Sequence, residues 1–419
     1  MQNMAKLQRP AFLCIAGILI ATLVAGLIRL SWISPLGSSV RRPAEISVEE
    51  YARGKEAFEA RYARSADEAD VLSWLGESFL SRDRFQKAVA CFEAIPTTHP
   101  TYGRMARYLE GQSLLNLHRA PEAEQQLVEF IALEVATPQL DPKILIDARQ
   151  RLRHILEVEL RFEDLHRLLQ EIVNRGEDES HEAIVFCFPT LLRWNGPDAV
   201  KWLEQFYHAD AGNLQLNVAL GRYRTGQGRL DEAIQILNEA VRKHPEDKAA
   251  KAALIEAMRQ ADDPSMPRLV DQLSPQASDD PWLLLQVRGT FAIQQNRPEV
   301  AVTAFRQLIE QNQTSAEAWH GLGQAYRLLG DDTQRKQAQT MATALGRIQN
   351  YLGKAMQEPT NLDTFLKISE ICLEADLISE GMLMTRCARR IAPADQRVLT
   401  AIQQLQTRSP KKQSPLIPK

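Results

Sequence analysis

The sequence predicts an all-α protein, a solenoid of stacked helix pairs preceded by a single transmembrane helix. Three observations carry that prediction. Small and large apolar residues recur at an interval of about 34 residues over most of the 419-residue chain. Residues 11–28 form an uncharged apolar run close to the N-terminus. The whole chain is 44% hydrophobic and 25% charged, a globular composition on a length too great for one ordinary core.

Residues 1–10 are a short tail carrying Lys6 and Arg9. The run that follows, AFLCIAGILIATLVAGLI, has Thr22 as its only clearly polar side chain. As a helix it is about 27 Å long, close to a bilayer core of roughly 30 Å. Leu30, Trp32 and Ile33 extend it, with Arg29 snorkelling and Trp32 at headgroup level, which places the anchor at 11–33. Lys6 and Arg9 also suit a cleaved signal peptide, but no A-x-A-like site follows the run. Cys14 follows Ala11-Phe12-Leu13 rather than a small neighbour, which speaks against a lipoprotein cleavage box. The cations on either side do not settle orientation. A very short N-terminus ahead of a signal-anchor leaves that terminus in the cytosol, so the bulk of the chain is expected to be extracytoplasmic (periplasmic in a bacterium). Residues 34–46 read as a linker.

From Ser47 the chain repeats itself. Ser47 and Glu50 form a capping box that starts a helix through Tyr51, Phe58 and Tyr62. The motif Leu220-Gly221, Gly228, Ala233, Leu237, Ala240, Pro245 sets a frame in which Gly221 maps to Gly289 and Gly323, and Leu237 to Leu203 and Phe305. Leu75-Gly76, Phe79, Asp83, Ala88, Phe92 and Pro100 match it closely, and Ile368, Cys372, Asp376, Gly381, Ala388 and Pro393 match it again. Residues 141–176 read as a helix pair of weak consensus, and Pro264 and Pro267 shorten or distort the second helix of 247–280. Extra residues between Arg347 and Leu362 break the frame, as a loop or an extended helix. Small residues let paired helices approach, large ones fill the space between pairs, and no unit buries its apolar face alone.

This spacing resembles the tetratricopeptide repeat. The stretch Ala318-Trp319-His320-Gly321-Leu322-Gly323-Gln324-Ala325-Tyr326 carries W-x-x-L-G-x-x-Y outright, while Arg335 and Gln339 depart from the pattern in the helix after it. The resemblance covers residues 47–396 and implies a right-handed α-solenoid that binds protein or peptide partners along a concave face made by the first helices. The residues it places there are Trp74, Glu77, Tyr108, Gln112, Arg222, Gln286, His320, Gln324 and Arg327, with Asp70, Lys367 and Glu370 beside them. The Lys/Asn/Arg clamp by which some members hold a C-terminal carboxylate does not recur, and neither does the cysteine knuckle of those that assemble lipopolysaccharide.

No enzyme motif survives inspection. Gly321-Leu322-Gly323 lacks the third glycine of a dinucleotide fingerprint, and His181-Glu182 has Val185 where a zinc site needs histidine. No catalytic residue, cofactor, metal or small-molecule substrate is expected. The net charge of −3 argues against nucleic acid as a partner. That total averages an acidic body over two basic ends. No acid precedes Glu45, and none follows Asp395, although Arg397, Arg408, Lys411, Lys412 and Lys419 do. Residues 397–419 are therefore expected to be a disordered basic tail. Cys91, Cys187, Cys372 and Cys387 read as buried thiols; Cys372 and Cys387 share one unit and are the pair an oxidising compartment could join. The whole reads as a membrane-anchored scaffold for protein–protein interaction. Its alternatives are a periplasmic assembly or maturation factor that receives extended clients, and a non-catalytic regulatory subunit of an enzyme complex.

Overall fold

The computed structural model describes residues 40–176, 180–190, 197–273 and 275–408. The expected tail 1–10, anchor 11–33 and residues 34–39 of the linker lie outside the described residues, as do 409–419. Among the described residues no helix is long and apolar enough to cross a membrane.

Every described element is a helix. A leading helix α1 (Val48–Tyr62) precedes the pairs α2 (Glu68–Leu80) with α3 (Phe85–Glu93) and α4 (Gly103–Asn116) with α5 (Ala120–Ala136). Next come α6 (Pro142–Val158) with α7 (Phe162–Arg175), then α8 (Ser180–Cys187) and α9 (Pro197–Ala209). Three further pairs are α10 (Leu214–Gly226) with α11 (Leu230–Lys243), α12 (Lys248–Gln260) with α13 (Met266–Asp271), and α14 (Trp282–Gln294) with α15 (Pro298–Gln311). The last are α16 (Ala316–Leu329) with α17 (Asp332–Gln357) and α18 (Leu362–Glu374) with α19 (Ile378–Ile391), closed by α20 (Gln396–Arg408). The capping box at Ser47 is formed with both reciprocal hydrogen bonds.

One residue of positive φ turns each pair. These residues are Asp83, His118, Leu160, Gly228, Asp262, Asn296, Gly330 and Asp376, and four of them keep a constant 34-residue interval from Gly228 to Gly330. The left-handed residue stops the first helix, and the next amide donates back to a helix carbonyl that would otherwise be orphaned. Thus Arg84 N–H donates to the Phe79 carbonyl at 2.9 Å, Arg229 to Arg224 at 2.9 Å and Arg297 to Ala292 at 2.8 Å. Glycine, aspartate and asparagine adopt this conformation at little cost; Leu160 does so at about 1 kcal/mol, in the pair of weakest consensus.

Close approach explains the small residues. A Cβ on Gly221 would lie 2.4 Å from Leu237 Cγ. A Cβ on Gly289 would lie 2.6 Å from the Phe305 ring, and one on Gly321, in the next first helix, only 2.3 Å from the same ring. Phe305 is therefore wedged between glycines of successive units. In the α16–α17 pair Gln339 is exposed, and Ala338 is the buried residue instead. Pro267 lies in the first turn of α13, which has only six residues. The extra residues after Arg347 continue α17, which runs unbroken to Gln357.

Two features depart from the expectations. Residues at the end of the expected linker are folded onto the array, with Ile46 fully buried beside Val71 and Leu72. Residues 397–408 are not a disordered tail: they form most of α20, because Val398 and Leu405 lie on one face and are fully buried, Leu405 packing where a Cβ on Gly381 would stand. A lack of acids had concealed that apolar period. The cysteines follow the expectation: Cys91, Cys187, Cys372 and Cys387 are buried thiols, and Cys372 and Cys387 form no disulfide with each other; burial pushes the Cys372 thiol well above its usual range.

The array also folds back on itself. Helix α8 packs against α19 and α17, far away in sequence. Ile184, Cys187 and Phe188 share one core with Ile348, Phe365 and Met384. The Thr314 hydroxyl donates to the Cys187 carbonyl at 2.6 Å, and the Trp282 amide donates to Glu163 Oε1 at 2.8 Å. Phe162 packs on the cluster that holds Trp282 and Phe305. Residues 160–176 and 180–188 thereby cover part of the later units.

Candidate functional site

The expected partner-binding residues fall into two sets. In the first, the chain itself engages the side chain. Trp74 stands edge-on to Phe58 and Tyr62 of α1, with ring centroids 6.4 and 6.0 Å away. The Tyr108 hydroxyl donates to Asp147 Oδ2 at 2.6 Å and its ring packs on Phe130; burial and the Asp147 carboxylate push its pKa up to about 12. Arg222 donates to the Leu160 carbonyl at 2.7 Å and lies over the Phe162 ring, so the fold-back covers it. Asp70, the third residue of α2, is buried in that helix's own capping box and is bonded by Arg64 and Tyr102.

In the second set the side chains face outward. His320 and Arg327 are exposed, and Gln324 between them is half-buried, with Gln324 Nε2 2.8 Å from His320 Nε2. These three share one face of α16 because they stand four and three residues apart. Glu77 on α2 is exposed, Gln112 on α4 and Gln286 on α14 are half-buried, and Lys367 pairs with Glu370 at 2.7 Å.

Beside α16 the fold-back leaves a cleft of about 840 Å³. Four separate segments line it: His166 and Phe186–Cys187, residues 309–314 with Trp319, residues from 337 to 341, and residues 374–380. His166 and Phe186 stack at 4.4 Å with planes 12° apart, and burial lowers the His166 pKa. Trp319 is held by its indole N–H, which donates to the Gln313 carbonyl at 2.8 Å. The lining carries Glu310, Glu374, Asp376 and Glu380 and no lysine or arginine.

Three residues that line the cleft each carry a buried polar atom without a partner: His166 at Nδ1, Asn312 at Nδ2 and Glu380 at Oε2. Glu380, 8% exposed, accepts a hydrogen bond from Gln313 at Oε1, while its buried Oε2 has none. Asn312, 7% exposed, accepts from the Thr314 amide and hydroxyl at Oδ1, while its buried Nδ2 donates to nothing. Burial raises the Glu380 pKa from its ordinary value. An unmade hydrogen bond in a buried site costs about 1–3 kcal/mol. Sequence spacing held no signal for this cleft, because its walls come from segments brought together only by the fold-back.

Comparison with known proteins identifies the repeats. Models of the tetratricopeptide repeat match residues 196–264, and also 44–102 and 288–334. The chain carries tetratricopeptide repeats in those stretches. No curated protein matches it. Among solved structures, the APC/C hetero-tetramer Cut9–Hcn1 is 13% identical with a TM-score of 0.35, over 81% of this chain and 76% of that one. The human IFIT1 dimer with m7Gppp-AAAA is 12% identical with a TM-score of 0.35, over 84% and 96%. A thermophilic tetratricopeptide protein of Thermus thermophilus is 17% identical with a TM-score of 0.19, over 50% and 89%. Likenesses this low carry no argument about function.

Proposed function

We propose that this chain is a scaffold that holds protein or peptide partners near a membrane, anchored by residues 11–33, without chemistry of its own. The tetratricopeptide array supports the first part, since a solenoid exposes much surface for its length. The observation that carries the partner site is the pairing of an outward polar face, His320, Gln324 and Arg327, with the acid-lined cleft beside it. The anchor rests on the sequence of 11–28, which is long and apolar enough to span a bilayer. In this reading the array is extracytoplasmic.

In-cell crosslinking of the full-length chain with mass spectrometry tests the scaffold. Partners crosslinked to α16 and lost in a His320→Ala/Arg327→Ala chain are expected; crosslinks that avoid α14–α19 would contradict it. Carbonate extraction tests the anchor, which predicts retention in the membrane pellet and release when 11–33 is deleted. Protease digestion only after the cytosol is opened would overturn the orientation. A catalytic turnover retained by the purified chain would overturn the non-enzymatic reading.

A further inference from the structure

We propose that the α6–α7 junction, residues 159–164, is a pH-sensitive clasp on the fold-back, drawn tight when Glu159 is neutral and loosened when it is ionised. Much of the fold-back is fastened at this junction. The Leu160 carbonyl accepts from Arg222 of α10, the Phe162 ring lies 5.4 Å beneath that guanidinium, and Glu163 accepts from the Trp282 amide of α14. These contacts depend on the backbone path through Leu160, which has a φ of +54° without being glycine. Loosening the junction therefore loosens the cover over Arg222.

An ion network holds that path, and its charges do not balance. Arg161 bonds Glu124 of α5 at 2.5 Å, Glu159 at 3.1 Å and Asp164 of α7 at 2.7 Å, three carboxylates on one guanidinium. Glu159 is the innermost, its side chain 1% exposed against 22% for Glu124 and 29% for Asp164. The other charges on the surrounding helices are turned elsewhere. Arg167 of α7 pairs with Asp164, Glu157 of α6 with Arg153, and Glu204 of α9 with Arg224 of α10. Lys201 of α9 is exposed, and Arg222 of α10 is spent on the Leu160 carbonyl. Burial pushes the Glu159 carboxyl up to about 7, with Arg161 opposing the rise and Glu124 and Asp164 adding to it.

The regular units show what this place ordinarily holds. Among the described turns between paired helices, Glu159 is the only acid directly before the left-handed residue; Gln227 and Gln295 stand there in the units of α10 and α14. A protonated glutamate, like glutamine, is a neutral group that both donates and accepts, whereas the ionised form adds a buried charge to a network already rich in carboxylates. The cost of that charge is absent below the unfolded value near 4.5, grows as pH rises, and is complete above about 7. The clasp is therefore tighter in mild acid than in mild base.

Hydrogen–deuterium exchange of the full-length chain in detergent tests this, with wild type compared to Glu159→Gln at each pH so that the ratio cancels the pH dependence of exchange itself. The ratio of opening at 160–166, wild type over variant, is expected to rise about tenfold between pH 5.5 and 8. Glu124→Gln keeps Glu159 but removes a neighbouring negative charge, so the wild-type rise should move to lower pH by about half a unit or more. Circular dichroism melting verifies that both variants fold, and the Glu124→Gln comparison needs no change at Glu159. A ratio constant from pH 5.5 to 8 would overturn the titration at Glu159. A rise of equal size at 68–80, remote from the junction, would overturn the clasp, because the effect would then belong to the whole array. A Glu124→Gln profile that does not move would overturn the shared guanidinium as its basis. None of these results bears on the scaffold reading, which the crosslinks test.

Discussion

Two phenylalanines show how differently two regions of this chain are held. Phe305 belongs to the regular stretch 282–329 and Phe188 to the fold-back of 160–176 and 180–188; they are 1% and 0% exposed. Phe305 is clasped by Gly289 and Gly321, one in its own unit and one in the next. Phe188 shares a core with Leu345, Phe365 and Met384, from units more than a hundred positions later. The first arrangement is the nearest-neighbour packing that defines a solenoid. The second ties distant units together. Weak consensus over 141–209 is therefore not simple decay, because residues there pack against remote helices as well as their neighbours.

Removing either ring separates the two arrangements with the largest effect. Phe305→Ala and Phe188→Ala are each expected to cost about 3–5 kcal/mol, the usual range for a fully buried phenylalanine. In denaturant titrations followed by segment-specific probes, Phe305→Ala should destabilise 282–329 first. Phe188→Ala should destabilise α8, α17 and α19 together. Identical profiles for the two variants would erase the distinction.

An N-terminal substitution sharpens the comparison, since that region has no part in the fold-back. Burial by itself would raise the Asp70 pKa, but hydrogen bonds from Arg64 and Tyr102 outweigh it and hold the carboxylate down at about 2. A depressed carboxylate stabilises the fold above its unfolded value, near 3.8, and that stabilisation is lost as pH falls through about 2. Because Arg64 is half exposed, the contribution is set at about 1–2 kcal/mol. Asp70→Asn should lose that amount at pH 7 and nearly nothing at pH 2, measured by denaturant titration, with the α8–α19 contact unaffected.

Thr314→Val is a gentler probe of the fold-back. It removes the donor to the Cys187 carbonyl and should cost about 1 kcal/mol, read as faster exchange at 180–188. The smallest change is on the open face. His320→Ala and Arg327→Ala should alter stability by no more than about 0.5 kcal/mol while reducing partner capture. A stability loss as large as that of Thr314→Val would mean that this face is also engaged within the chain.

These contrasts follow what is legible in a repeat sequence. The pairing of Gly221 with Leu237 and of Gly289 with Phe305 could be read from spacing, because both partners lie in one unit and recur. The turns at Asp83, Gly228 and Asp376 could be read for the same reason. Arg222 matched its repeat position, yet its guanidinium is covered by Leu160 and Phe162, a contact no local pattern encodes. The cleft at Glu380 was invisible for that reason too. Helix α20 is hard to read from sequence because its apolar period is carried by Val398 and Leu405 within an acid-free basic stretch.

The fold-back is the central claim, and hydrogen–deuterium exchange on full-length Phe188→Ala against wild type tests it most directly. The structure predicts concerted loss of protection at 180–188, 345–355 and 378–391, with 214–260 unchanged. Loss confined to 180–188, with α17 and α19 as protected as in the wild type, would contradict it.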